Sequence, residues 1–160
     1  MAALPLKIEH RIGILAPATA VWPMLEDIQT WPAWNPVYRK VEGKIAFGAK
    51  LTLEVQLPGD QPRMIKPVVV DWTPNEQIIW KLSMLGGLLR STRYIELETL
   101  DNGNCIFSNG EIFDGPLMGL ISKAQRKMIK AGFAQFGEIV RDRAEADWRE
   151  QQRTATSKVG

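Results

Sequence analysis

The sequence predicts an α+β protein, an antiparallel sheet packed against one long C-terminal helix. Two observations carry this. Most of the first 113 residues alternate apolar and polar with a period of two, in short runs separated by hairpin-type turns. After Asp114-Gly115-Pro116 the apolar period changes to three and four and stays there. A sheet with one apolar face and a helix with one apolar stripe can bury each other. If the sheet curves around the helix, the space between them suits an enclosed ligand site, a step the pattern permits without requiring it.

The first strand is LKIEHRIGI, residues 6–14, with Leu6, Ile8, His10, Ile12 and Ile14 on one face and Lys7, Glu9 and Arg11 on the other. A short helix follows over 19–29, with Thr19 placed to cap it and Val21, Trp22, Leu25 and Ile28 near helical spacing. Pro23 falls in its early turns, where a missing N–H costs least. Trp31, Pro32 and Trp34 form a corner, and Asn35-Pro36 turns the chain back. Strands are then expected at 37–42, 49–57, 63–72, 78–83, 90–99 and 105–113, separated by turns that include PGDQP, TPNEQ and DNGN. Pro67 lies inside the 63–72 run, which marks an edge or a bulge. The last helix is expected over about 117–148, on Leu117, Leu120, Ile121, Ala124, Met128, Ala131, Phe133, Phe136 and Val140. Gly119, Gly132 and Gly137 lower its propensity by up to about 1 kcal/mol each and suit close approach by the sheet or a ligand. One domain over 1–148 and a polar, flexible tail over 149–160 follow.

Composition narrows the function. The chain has 160 residues, 45% of them apolar and 24% charged, enough for one domain with its own core. A net charge of +2 is too small for a phosphate-tracking surface, so no nucleic-acid partner is expected. Cys105 is the only cysteine and reads as a buried, inert thiol. His10 is the only histidine. A structural role on the apolar face is expected for it, with ligand contact as the alternative. One His and one Cys make a transition-metal site improbable, and nothing implies a cofactor. MAALPLKIEHR is not a secretory signal, and no apolar run approaches a membrane span. The cytoplasm is therefore the default compartment. MLGGLL, residues 84–89, is a glycine-containing apolar hairpin tip. It reads equally as a lid or as leucines folded into the core, and a transient membrane or partner contact stays open.

The layout resembles the START-like (SRPBCC) superfamily, in its polyketide cyclase/dehydrase-like branch. The matching stretches are APATAVWPMLEDIQTWPAWNP, KPVVVDWTPNEQIIW and GNCIFSNGEIFDGPL, with the final amphipathic helix; together they span nearly all of residues 6–145. The resemblance implies a helix-grip fold, a bent antiparallel sheet gripping the C-terminal helix around an apolar cavity. It also implies a small hydrophobic ligand such as a lipid, sterol, polyketide or aromatic-like molecule, and in some members cyclisation or dehydration.

Candidate ligand contacts follow from the expected inward faces. Trp34 sits at the corner, with packing against the sheet end as its main expected role. Leu53, Val55, Trp80, Arg93 and Ile95 come from the middle strands, and Phe107, Asn109 and Phe113 from the last. Leu120, Ile121, Ala124 and Met128 come from the helix. Glu111 shares the inward face of the last strand and is the catalytic candidate, because an apolar cavity favours the neutral carboxyl and a group so tuned can move protons. A structural pair with Arg93, an exposed position, or ligand orientation are the competing roles. Three functions stay open: carriage of a small apolar ligand, cyclase, dehydratase or isomerase chemistry on it, or a noncatalytic interaction protein with a filled cavity.

Overall fold

A computed structural model of the protein describes residues 4–159. The chain order is β1 (Leu6–Ile14), α1 (Ala18–Glu26), a 3-10 turn (Ile28–Thr30), α2 (Trp31–Trp34), β2 (Tyr38–Glu42), β3 (Thr52–Val55), β4 (Arg63–Ile65), β5 (Val68–Thr73), β6 (Gln77–Met84), β7 (Leu89–Thr99), β8 (Cys105–Asp114) and α3 (Lys123–Val159). The strands form a five-stranded antiparallel sheet in the order β1-β8-β7-β6-β5 and a smaller sheet in the order β2-β3-β4. The larger sheet curves against α3, which packs chiefly along β1 and β8. This is the helix-grip arrangement.

The alternating runs become strands because alternation puts one apolar face against the helix. Pro67 explains the one run that does not stay whole. The expected strand over 63–72 is two strands, β4 and β5, in different sheets. Proline has no N–H for a ladder, and the chain changes sheet at Lys66-Pro67. The Pro67 carbonyl still accepts from Leu51 N at 2.9 Å, and Val69 N donates to Ala49 O at 2.9 Å. The two sheets therefore meet at a seam, and a register shift between Val69 and Asp71 adds to the bend.

The helical elements differ from expectation at their ends. Thr19 is not the cap of α1; Pro17 is, with no side-chain bond, and the helix stops at Glu26. The last helix begins at Lys123 rather than 117, after a 3-10 turn at Met118–Leu120. Its start is fixed by a reciprocal capping box: Gln125 N donates to Ser122 Oγ at 3.2 Å, and Ser122 N donates to Gln125 Oε1 at 2.8 Å. At the other end α3 runs through the expected tail to Val159, and residues 149–158 are exposed along it.

The core is organised around Trp31. Its ring centroid lies 4.8 Å from Tyr38, 5.1 Å from Phe136 and 6.2 Å from Trp80. Its indole N–H is satisfied by Met24 O at 2.9 Å. The Asn35-Pro36 turn is held by Val37 N donating to Asn35 Oδ1 at 3.1 Å. Two of the helical glycines admit close neighbours: a Cβ at Gly137 would lie 2.7 Å from His10 Nδ1, and one at Gly132 would lie 2.9 Å from Leu57 Cδ2. Cys105 is fully buried, and burial pushes its thiol up to about 11, as suits an inert thiol.

Gly110 in β8 is the tightest approach within the sheet. The Tyr94 ring crosses it so that the Tyr94 hydroxyl can donate to Glu9 on β1. A Cβ at 110 would lie 2.6 Å from Tyr94 Cζ and 2.7 Å from the Ile8 carbonyl. Gly110→Ala is therefore expected to destabilise the fold by about 1–3 kcal/mol. Gly13→Ala, where no atom lies within 4 Å, should stay within about 0.5 kcal/mol of the parent. Urea unfolding of the two variants against the parent checks both.

Candidate functional site

An apolar cavity of about 230 Å³ lies between α3, the inner face of β6–β8 and the smaller sheet. The small sheet supplies Tyr38, Val55 and Ile65, with Leu57 just beyond β3. The large sheet supplies Trp80, Leu82, Met84, Leu89, Arg93, Glu111 and Phe113. The helix side supplies Ile121, Gln125, Met128, Ile129 and Phe133. Asp60, Gln61 and Arg63 add polar groups from the β3–β4 loop, where Arg63 pairs with Asp60 at 3.4 Å.

Two charged side chains stand in this apolar wall. Arg93 on β7 and Glu111 on β8 are directly opposite one another in the antiparallel register. Arg93 is 3% exposed. Its guanidinium donates to the Tyr38 hydroxyl at 3.3 Å, to Tyr94 O at 2.7 Å, to Gly110 O at 3.1 Å and to Asn109 Oδ1 at 3.1 Å. Its Cζ sits 4.4 Å from the Phe133 ring centroid, within cation–π range. No carboxylate among the described residues lies within salt-bridge distance of it. The expected Arg93–Glu111 pair is therefore a cross-strand neighbour pair without a direct ion pair.

Glu111 is held differently. Removal from water raises its carboxyl above the ordinary value of 4.5. The Arg93 charge and the Ser91 hydroxyl pull the other way, and desolvation outweighs them. His10 lies outside the cavity, against Gly137 on α3, with its Nδ1 unpartnered; burial lowers its affinity for a proton.

The sequence-derived contacts divide in two. Val55, Trp80, Arg93, Phe113, Ile121 and Met128 lie on the cavity wall with Glu111. Leu53, Ile95, Phe107 and Asn109 also point inward, but they are completely buried in the packed core and do not reach the cavity. Asn109 instead accepts from Arg93 and donates to Phe133 O at 3.2 Å, so it anchors the cation and ties β8 to α3. Trp34 packs edge-on against Trp31 and tilted against Phe136 at the corner, away from the wall. Leu120 and Ala124 face solvent. The delayed start of α3 accounts for these two, because the phase assumed from residue 117 does not hold before Lys123. The hairpin tip is split as well: Met84 and Leu89 line the cavity, while Leu85 and Leu88 are exposed.

Sequence reasoning missed Tyr38, Leu82, Ile129 and Phe133. Leu82 and Ile129 carried a usable signal, since each extends an apolar face already identified. Tyr38 carried none, because its place depends on how the corner packs.

The sequence profile described as polyketide cyclase / dehydrase and lipid transport matches residues 5–145. The chain belongs to that family. Among curated proteins, no sequence matches it. Among solved structures, an aromatase/cyclase from a Streptomyces strain is similar at 18% identity and a TM-score of 0.72, over 89% of this chain and 94% of that one. A START superfamily protein from Mycobacterium smegmatis is similar at 15% and 0.68, over 88% and 97%. Norcoclaurine synthase from Thalictrum flavum is similar at 13% and 0.67, over 88% and 87%. At these identities the likeness is one of fold. That fold is compatible with holding a small hydrophobic ligand or with cyclase or dehydratase chemistry on one. No helix among the described residues is long and apolar enough to cross a membrane.

The shift at Glu111 predicts a pH dependence of stability. A raised native pKa means that the folded state binds this proton more tightly than the unfolded chain. The stabilisation is full below 4.5 and is lost as pH rises through the higher native value. Glu111→Gln removes that loss. As pH rises above 4.5 the parent should lose stability relative to the variant, until Glu111 is ionised in the folded state, read as urea midpoints of both proteins across a pH series.

Proposed function

We propose that the protein is an enzyme of the cyclase/dehydratase class, using Glu111 to move protons on a small, largely apolar, carbonyl-bearing molecule held in the cavity. One observation carries the reading: a desolvated carboxyl and a buried guanidinium stand side by side on the wall of an apolar cavity. A simple apolar carrier does not require either charge there, and burying them is costly. The names of the structural relatives lean the same way, since two of the three above are enzymes, an aromatase/cyclase and a synthase.

In this reading, ionised Glu111 removes a proton from a carbon beside a substrate carbonyl. The C–H electron pair becomes an enolate, whose oxygen takes up negative charge. Arg93 uses four of its five N–H donors on protein oxygens, and the remaining Nη2 N–H faces that charge with the Tyr38 hydroxyl beside it. The enolate carbon attacks a second carbonyl, closing a C–C bond, and the resulting alkoxide takes the proton back from neutral Glu111 to become a hydroxyl. Ionised Glu111 then removes the second proton from the same carbon, whose C–H electron pair becomes the C=C bond as the C–O bond breaks, and the leaving hydroxide takes that proton from Glu111 and departs as water. A raised carboxyl suits both halves of the cycle, since it is a stronger base when ionised and keeps its proton to a higher pH than an exposed carboxyl does.

Val55, Trp80, Phe113, Ile121 and Met128 would hold the apolar body of the substrate and keep water out. The cavity is below the roughly 300–1,000 Å³ usual for ligand pockets, which favours a compact ring precursor over a long-chain lipid.

The test is turnover of short β-diketone and β-triketone substrates by the parent and by Glu111→Gln. The variant should lose about 10²–10⁴-fold in kcat and keep its affinity within about threefold, read from tryptophan fluorescence. The parent's kcat should rise with pH through an apparent pKa above 4.5. Equal turnover in the variant ends the assignment, and tight binding with no turnover in either protein returns the carrier reading.

A further inference from the structure

The end of the molecule formed by the β6–β7 tip and the start of α3, which borders the cavity at Met84, Leu89 and Gln125, has a surface that neither the fold nor the proposed chemistry explains. Leu85 and Leu88 at the β6–β7 tip are 59% and 48% exposed, and Leu120 in the turn before α3 is 67% exposed. These segments form one unit. Leu117 N donates to Leu88 O at 3.0 Å, and Met84 and Leu89 at the base of the tip share an apolar cluster with Met118, Ile121 and Ile129. Leu85 is also strained: its φ is 52°, a left-handed conformation costing a non-glycine residue roughly 1 kcal/mol or more, with two glycines beside it. A leucine that is both strained and exposed does nothing for the core.

The same end is basic. Residues 122–137 of the chain hold Lys123, Arg126, Lys127 and Lys130 and no acid. All four are exposed, and none forms a salt bridge among the described residues. They crowd the first two turns of α3, where the helix dipole disfavours cations. Acids return only from Glu138 onward. The one acid at the tip, Asp114, is already paired with Arg90 at 2.6 Å. The turns that bear these cations also put Gln125, Met128 and Ile129 on the cavity wall.

We infer that this end docks on an anionic lipid surface, with Leu85, Leu88 and Leu120 entering the headgroup–acyl boundary and the α3 cations meeting the lipid phosphates and carboxylates. Exposed leucines beside four exposed cations without salt-bridge partners among the described residues match a fluid interface, which closes around them without a preformed groove. Docking this way brings the cavity wall at Met84, Leu89 and Gln125 towards the layer where an apolar ligand partitions. The contact is peripheral and reversible, because three leucines and four cations are far short of a spanning helix.

The test is vesicle co-sedimentation of the full chain at low salt, comparing pure phosphatidylcholine with phosphatidylcholine containing about one third phosphatidylserine. Binding is expected on the anionic vesicles alone and should fall steeply with added salt. K123Q/K127Q/K130Q should weaken it about a hundredfold, at about fivefold per cation. L85S/L88S should weaken it at least about tenfold with an unchanged circular dichroism spectrum. Equal binding to both vesicles, or binding that ignores the leucine pair, overturns the inference. Salt-sensitive retention on poly-glutamate beads with no vesicle binding also overturns it and points to an acidic protein partner.

Discussion

Burying one guanidinium governs the interior of this protein. A cation removed from water needs its donors met by fixed oxygens and its charge met by polarisable surroundings. Arg93 obtains these from four places at once: the Tyr38 hydroxyl on β2, the carbonyl of Tyr94 in β7, the Gly110 carbonyl and Asn109 side chain in β8, and the Phe133 ring on α3. The two sheets and the helix therefore converge on one side chain. A hydrocarbon in its place would leave Asn109 and the Tyr38 hydroxyl short of a partner deep in the core, so the polar network stands or falls together.

The small helical corner serves that convergence. Trp31 fills the space between the corner, Trp80 and Phe136, and the Asn35 side chain closes the turn that leads into β2. Tyr38 is then held both by packing on Trp31 at 4.8 Å and by its bond to Arg93. The sheet break at Pro67 acts at the opposite side. By sending β4 into the smaller sheet and β5 into the larger, it tilts β2–β4 across the open side of the helix-grip and gives the cavity its second wall.

Much of this was legible in the sequence, and the limits have physical causes. Alternation identified β1, β6, β7 and β8 closely, because a half-buried strand must alternate. It could not show that residues 63–72 divide, since both halves keep the period and only the missing N–H at Pro67 separates them. The start of α3 was written in Ser122 and Gln125, a spacing that the apolar stripe beginning at Leu117 obscures. At the site, a period of two assigns a face but not a depth. Ile95, Phe107 and Asn109 share the inward face with Arg93, Glu111 and Phe113, yet the first three are completely buried, with Phe107 against Phe136 and Asn109 bonded to Phe133 O, while the others border the cavity. Where a second element leaves space is a tertiary property that no single strand encodes.

The separation of the two charges follows from the same network. A carboxylate in direct contact with a guanidinium is stabilised in its ionised form. Arg93 is held instead by neutral oxygens and aromatic faces, so its charge reaches Glu111 as a through-space influence that burial overcomes. The backbone carbonyls of Tyr94 and Gly110 are the decisive partners, because they cannot rotate away and they hold the guanidinium without a closed ion pair to Glu111, its register partner. What keeps the cation in place is thus also what leaves the carboxyl beside it reluctant to ionise, and the two properties cannot be altered independently without rebuilding that pair of strands.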